Sequence, residues 1–154
     1  MEAIVAIFVI TTGIVGVLSL VTQTISSATF SKDKLIAAYL AQEGIEIVRN
    51  IRDTNWLQSL SWNNGLGAGE YEADYGSQSL PSFSGNPLNL ESLTNYYGYG
   101  SGNATKFIRK ITISEPNTVS CPAGSCLNVK VEIFWQEKGA PHKVEAQENL
   151  YNWK

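Results

Sequence analysis

Residues 3–21 read AIVAIFVITTGIVGVLSLV and contain no charged side chain. The uncharged run is longer still, because no Asp, Glu, Lys or Arg lies between Glu2 and Lys32. An α-helix rises about 1.5 Å per residue, so about 20 apolar residues cover the roughly 30 Å hydrocarbon core of a bilayer. The stretch therefore predicts a helix that is long and apolar enough to cross a membrane.

The helical pattern continues over residues 31–52 but becomes amphipathic there. Apolar residues recur at intervals of three and four, as on one face of a helix. One stripe contains Ile36, Leu40, Gly44, Ile47 and Ile51, and an adjacent stripe contains Ala37, Ala41, Ile45 and Val48. Glycine costs about 1 kcal/mol inside a helix, so Gly44 indicates a close approach to a neighbouring element. We expect one continuous helix that ends near Arg52, at the turn-forming residues 53–55, and packs this face on a sheet.

The rest of the composition is that of one exported domain. The chain has 154 residues, 16% of them charged, and a net charge of −3, so we expect no nucleic-acid partner. Cys121 and Cys126 lie in the run CPAGSC, whose Pro and Gly permit the tight turn of a small disulfide ring. We expect a disulfide rather than two free thiols, which places this region in an oxidising compartment. Two cysteines and the distant His142 are too few for a zinc site, and we expect no metal and no cofactor.

The flanks of the apolar stretch are unusual for a membrane segment. It is longer than the core of a secretory signal peptide, and no Lys or Arg precedes it. By the positive-inside rule, Lys32 and Lys34 would hold the following domain in the cytoplasm, whereas the cysteine pair indicates the opposite side. We expect that a basic leader has been removed from the chain or is missing from it.

The second part of the chain predicts a small antiparallel sheet. Residues 57–105 are rich in glycine and form a long loop with one short strand, EYEADY at residues 70–75. Three better strands follow at residues 106–114, 127–136 and 142–153, with short connections that favour antiparallel pairing. We therefore predict an α+β fold with two parts. Residues 1–28 are the protruding apolar helix half, and residues 29–154 are a globular domain whose sheet, residues 106–154, packs on the amphipathic helix half.

No group of residues has the spacing of an active site, and an enzyme is the least expected class. Glu70, Glu72 and Asp74 should share one strand face, where solvated carboxylates are commoner than a calcium site. The loop region also carries aromatic residues among Ser, Gly and Asn, as antibody paratopes do. These are Trp62, Tyr71, Tyr75, Phe83, Tyr96, Tyr97 and Tyr99. Most should fold onto the sheet and seal contacts, and a minority could face outward and bind surfaces or ligands.

Four segments of the chain match a known family. They are EAIVAIF at residues 2–8, YLAQEGIE at residues 39–46, RNIR at residues 49–52 and a terminal strand that ends on NW at residues 152–153. With these segments the chain resembles the type IV pilins, in particular the PilV-like minor pilins. The resemblance spans the whole chain but is specific only in the two helix halves.

The resemblance implies a structural subunit of a type IV pilus or pilus-like filament, assembled through its N-terminal hydrophobic helix. Its implied partners are identical or related subunits, an inner-membrane assembly platform, and a prepilin peptidase that removes a leader shortly before a glutamate matching Glu2. Met1 stands directly before that glutamate, so we expect a chain that starts late or an atypical terminus. The implied locations are the inner membrane before assembly and an extracellular or periplasmic filament afterwards.

Three residues in the apolar half have a possible role in assembly or helix packing. A carboxylate carried into an apolar filament core needs a partner, and the family uses the amino terminus of a neighbouring subunit. Glu2 would then dock subunits, or it would simply be solvated at the membrane interface, where the helix dipole favours it. Gly13 and Gly16 could serve helix packing in lipid or local loosening of the helix on assembly, or a plain membrane helix could tolerate them.

Two other functions stay open. The chain could be a pseudopilin of a type II secretion system, or a membrane-anchored extracellular binding domain that does not polymerise. Helix continuity favours the filament subunit, because an ordinary anchor is usually separated from its domain by a flexible linker.

Overall fold

The computed structural model describes residues 1–153 of the chain. Helix α1 spans Glu2–Leu57, and the strands follow it along the chain. They are β1 (Gly69–Tyr71), β2 (Asn89–Leu90), β3 (Tyr97–Gly98), β4 (Asn103–Ala104), β5 (Ile108–Ser114), β6 (Cys126–Glu137) and β7 (Ala140–Tyr151). The chain divides into two compact units, Met1–Leu35 and Ile36–Lys154.

The main sheet has the strand order β1-β5-β6-β7, and all of its neighbours pair antiparallel. The β6–β7 hairpin turns on two residues, Lys138 and Gly139, whose φ angles are 51° and 79°. Two consecutive positive φ angles fit the type of two-residue turn that matches the twist of a β-hairpin. The antiparallel connections expected from the sequence are therefore present.

The core of the second unit lies between the sheet and the second half of α1. Inward-facing strand residues such as Ile111, Val131 and Ile133 are fully buried, and so are Ala37 and Val48 of the helix. The alternation of β5, with every second residue buried, is that of a sheet with one face covered. The predicted α+β class is confirmed: a long apolar N-terminal helix is packed on a small antiparallel sheet.

The helix ends later than the sequence indicated, at Leu57 rather than near Arg52. Ser59 adopts a φ of +59° and donates its N–H to the carbonyl of Trp56 at 3.1 Å. Leu60 donates its N–H to the carbonyl of Asn55 at 2.9 Å. This pair of bonds around a left-handed residue is a Schellman cap, and it forms here without a glycine.

The loop region contains more structure than the sequence indicated. Strands β2, β3 and β4 form a second small sheet in the order β3-β2-β4. The strand predicted at residues 70–75 is shorter and lies at Gly69–Tyr71. Glu72 and Asp74 consequently lie beyond β1, and the expectation that they share a strand face with Glu70 is wrong.

Candidate assembly site

The first half of α1 exposes its apolar side chains on every side. All residues from 1 to 25 are exposed, including Phe8 at 69% and Leu20 at 64%. The helix contains a window of 18 residues with a mean hydropathy of 2.7, none of it buried, which by length and composition could cross a membrane. A soluble monomer rarely leaves so large an apolar surface in water. This half therefore needs lipid or another protein around it.

The threonine hydroxyls in this half bond to carbonyls of the helix itself. Thr11 donates to the carbonyl of Ile7 at 2.9 Å, and Thr12 donates to the carbonyl of Phe8 at 2.8 Å. Thr24 likewise donates to the carbonyl of the residue four positions earlier, at 2.8 Å. Such bonds let hydroxyls enter an apolar medium without an unsatisfied donor. The threonines of the stretch are therefore compatible with an apolar surrounding.

The candidate assembly residues lie in this exposed half. Glu2 is in the first turn of α1, where a carboxylate complements the helix dipole, and the carbonyl of Met1 accepts the N–H of Val5 at 3.3 Å. An added Cβ at Gly13 or at Gly16 would meet nothing within 4 Å. The backbone at both glycines is thus open to the approach of a neighbouring helix.

The second half of α1 presents its predicted stripe to the sheet. Leu40, Ile47 and Ile51 are buried, and Ile36 is half-buried against the same core. A Cβ built on Gly44 would lie 2.7 Å from Cγ1 of Val131, closer than real Cβ atoms come. A larger residue here would require a shift of the Val131 side chain or of the helix.

A buried ion pair joins this helix half to β5. Arg109 has a fully buried side chain, donates from Nη2 to Oε2 of Glu43 at 2.5 Å, and donates from Nη1 to the carbonyl of Ala73 at 2.8 Å. Its Nε–H has no acceptor among the described residues. Sequence reasoning missed this pair. The available signal was strand register, since Arg109 stands two residues before the buried Ile111 and thus on the same face.

A second charged contact joins α1 to β7. Arg49 donates to both carboxylate oxygens of Glu148, at 2.5 and 2.7 Å, and also contacts Glu46 on its own helix. The hydrogen bond that Arg49 donates to Glu148 is the main cause that raises the pKa of Arg49. The helix is therefore held to the sheet by charge on two strands as well as by apolar packing.

The outer face of the sheet is polar and self-paired. Glu132 is buried to 5% exposure and contacts Lys143 at 2.9 Å, Lys130 at 3.5 Å and Lys110 at 3.6 Å. Burial alone would raise the pKa of Glu132, but the hydrogen bond from Lys143 and the charges of the three lysines lower it below its usual value. The charge of Glu132 on this face is therefore compensated by three lysines.

The predicted disulfide is present between Cys121 and Cys126, with the Cα atoms 5.0 Å apart. Cys126 is the first residue of β6, so the ring fixes the end of the β5–β6 connection to the sheet. The hydroxyl of Tyr151, the last residue of β7, donates to the carbonyl of Ser120 in the same connection at 2.5 Å. Both bonds hold this connection against the β6–β7 hairpin.

The carboxylates considered for calcium have separate partners. Glu70 pairs with Lys110 at 3.1 Å, and Glu72 accepts the hydroxyl of Ser84 at 2.7 Å. The Asp74 carboxylate accepts from the N–H of Gly76, the hydroxyl of Ser77 and the N–H of Tyr99. Within residues 1–153 no three His, Cys, Asp or Glu side chains are arranged to hold a metal ion. His142 faces Trp135 across the β6–β7 pair, with ring centroids 5.4 Å apart.

The two halves of α1 thus have different chemical requirements. The half before residue 26 still needs an apolar surrounding, and the half from Ile36 to Ile51 already has one in the sheet. No family model, curated protein or solved structure matches the chain.

Proposed function

We propose that this chain is a structural subunit of a type IV pilus or pilus-like filament. Residues 1–28 hold it first in the inner membrane and then pack against the same helix of identical or related subunits. The filament is extracellular or periplasmic. An assembly platform in the inner membrane and a prepilin peptidase are its further partners.

The observation that carries this proposal is the continuity of α1. The helix runs from Glu2 to Leu57 without a break, from a part that is apolar all round to a part that packs on a sheet. A simple anchor works equally well with a flexible linker, which leaves the domain free to reorient. A filament subunit gains from a continuous helix, because the domain then follows the register in which the helices pack.

Glu2 fits a docking role in such a filament. It is the one charged side chain in the first 31 residues, and it lies at the start of an otherwise apolar helix. An unpaired carboxylate is costly in an apolar core, so a partner amine offered only in the correct register selects that register. We propose the terminal amine of a neighbouring subunit as this partner.

The disulfide supports the proposed compartment. A bond between Cys121 and Cys126 persists in an oxidising environment such as the periplasm or the cell exterior. The exposed helix half and the disulfide together support a subunit whose globular part lies outside the cytoplasm.

The test replaces Glu2 in cells that assemble the filament. Glu2→Ala should leave the protein expressed and inserted in the membrane but lower its content in sheared surface filaments at least tenfold, as measured by immunoblot and immunogold electron microscopy. Glu115→Ala, which removes an exposed glutamate from the β5–β6 connection, is the matched control and should assemble normally.

Two results would count against the proposal. Normal filament content of the Glu2 variant would overturn the docking role. Wild-type protein found in the membrane but never in a filament would overturn the filament role and favour an anchored binding domain.

A further inference from the structure

A small cavity of about 290 Å³ lies in the loop region of the second unit. Its walls include Asp74, Tyr75, Asn89, Glu91, Tyr96 and Gly98. Sites for small ligands have volumes of roughly 300–1,000 Å³ and combine apolar surface with a few placed polar groups. The cavity lies at the lower limit of this range, sufficient for a small ligand only, and has both kinds of surface.

Two tyrosines form an exposed aromatic platform at this cavity. The ring centroids of Tyr75 and Tyr96 are 4.9 Å apart and the ring planes are inclined by 56°. The two residues are 52% and 56% exposed. Other aromatic residues of the loop region behave differently, since Trp62 is buried and Tyr97 and Tyr99 pack against the core. The pair at the cavity thus faces outward, unlike these other aromatic residues of the loop region.

The carboxylates at the cavity are held in place by the loop. Asp74 accepts the N–H of Tyr99 and of Gly76, each at 3.1 Å, and the hydroxyl of Ser77 at 2.8 Å. Burial alone would raise the pKa of Asp74, but these hydrogen bonds lower it, so the group stays ionised. A Cβ at Gly98 would come within 3.1 Å of Oδ2 of Asp74, so a glycine keeps this approach open.

Glu91 links the second carboxylate to the aromatic platform. Its Oε2 accepts the hydroxyl of Thr94 at 2.5 Å and that of Tyr75 at 3.3 Å. The negative charge of Glu91 raises the pKa of Tyr75, which keeps the phenol protonated. The cavity therefore presents two fixed acceptors beside two aromatic rings.

We propose that this cavity binds a neutral carbohydrate. The apolar face of a pyranose ring can lie on the tyrosine platform, and its hydroxyls can donate to Asp74, Glu91 and the amide of Asn89. Among the described residues that line the cavity none is a lysine or arginine, so two carboxylates disfavour acidic sugars. The proposal does not depend on polymerisation, because every residue of the site belongs to one chain.

The test uses the full chain in lipid nanodiscs and saturation-transfer NMR. The probes are neutral oligosaccharides ending in glucose, galactose, mannose or N-acetylglucosamine, together with sialylated and uronate-containing oligosaccharides. We expect at least one neutral probe to bind in preference to the acidic ones. Tyr96→Ala and Glu91→Gln should each lower that affinity at least tenfold. Tyr39→Ala should leave it unchanged, because Tyr39 is equally exposed at 63% but lies on α1.

Three outcomes would overturn the proposal. They are no binding of any neutral probe, preferential binding of the acidic probes, and neutral binding that survives Tyr96→Ala in a variant whose circular dichroism is unchanged. Photo-crosslinking from position 96 to a second copy, with no sugar bound, would assign the tyrosine pair to subunit contact instead. None of these results alters the filament test, which measures the filament content of the wild-type protein and of the Glu2 variant.

Discussion

The two halves of α1 share a backbone geometry and differ in how their polar groups are satisfied. In residues 1–25 the threonine hydroxyls bond to carbonyls of their own helix, and every side chain is exposed. In the half from Ile36 onward, charged groups reach the sheet, where Glu43 meets Arg109 and Arg49 meets Glu148. The threonines of the first half therefore need no partner outside their own helix, whereas the charged groups of the second half depend on residues of β5 and β7.

The difference shows that the side chains of each helix half are matched to what surrounds that half. A segment with satisfied hydroxyls can move from lipid to a protein surrounding, because neither leaves a donor unpaired. A segment tied by ion pairs to β5 and β7 has one stable position. The four predictions that follow test this contrast, beginning with the largest effect.

Removal of residues 1–27 should change solubility without loss of the fold. The deleted part exposes more than a dozen large apolar side chains, and covering each is worth about 1.5–3 kcal/mol, which sums to roughly 20–40 kcal/mol. We expect residues 28–154 to be a soluble monomer with the circular dichroism of an α+β protein. The full chain, as control, should stay in the membrane fraction.

Analytical ultracentrifugation and thermal unfolding of the truncated chain check this prediction. If the truncated protein is unfolded, the first half of α1 supports the fold and the contrast fails. If the truncated protein remains in the membrane fraction, residues 1–27 are not the part of the chain that needs an apolar surrounding.

Substitution of Glu43 should destabilise the globular unit strongly. Glu43→Ala leaves the fully buried guanidinium of Arg109 without its carboxylate, and such a break typically costs about 3–5 kcal/mol. Glu46→Ala is the matched control, because Glu46 lies on the same helix, contacts Arg49 and has a side chain 62% exposed. An exposed pair of that kind is worth about 1 kcal/mol or less.

Chemical denaturation of the two variants gives the comparison directly. Arg109→Met should cost less than Glu43→Ala, since it removes the buried charge and leaves Glu43 partly solvated. If Glu43→Ala and Glu46→Ala lower the free energy of unfolding equally, burial of Arg109 does not determine how much its ion pair with Glu43 stabilises the protein.

The glycines of α1 should respond oppositely in its two halves. Gly44→Ala places a Cβ 2.7 Å from Val131, and overpacking of a core costs about 1–3 kcal/mol, which exceeds the helix-propensity gain of about 1 kcal/mol. Denaturation should show that Val131→Ala reduces this loss in a double-mutant cycle. Gly13→Ala and Gly16→Ala meet no atom within 4 Å and should leave the stability of the globular unit unchanged.

Those two variants also report on assembly. Reduced filament content for Gly13→Ala or Gly16→Ala, with normal membrane insertion, would show that neighbouring helices approach there. A stable Gly44→Ala protein would contradict the close contact between α1 and β6.

Much of the fold follows from periodicity along the chain. The 3.6-residue repeat of α1 and the alternation of β6 each extend over enough residues to be recognised, and both elements are present. The two cysteines lie five residues apart around a turn, so local geometry was sufficient to predict their bond. These features depend on neighbours in sequence.

The parts that were missed depend on distant or very short features. Arg109 and Glu43 are 66 residues apart, and neither residue by itself indicates burial. Strands β2, β3 and β4 have two residues each, too few to show an alternation. The Tyr75–Tyr96 platform requires two loop segments to meet, and only the structure shows that they do.

The position where α1 ends was missed because of a local feature, the backbone conformation of one residue. A substitution at that residue should give the smallest of the four predicted effects. Ser59 occupies the left-handed position of the helix cap at a φ of +59°, a conformation that costs a residue with a Cβ about 1–2 kcal/mol and glycine almost nothing.

Ser59→Gly should therefore stabilise the protein by about 0.5–1 kcal/mol, after subtraction of the greater freedom of glycine in the unfolded chain. Gln58→Gly is the matched control, because Gln58 precedes Ser59, is exposed and does not have a positive φ. That substitution adds the same freedom to the unfolded chain without relief of strain, so it should destabilise. Denaturation midpoints that shift in opposite directions would confirm the cap, and a loss of stability in both variants would show that Ser59 contributes more than its backbone angle.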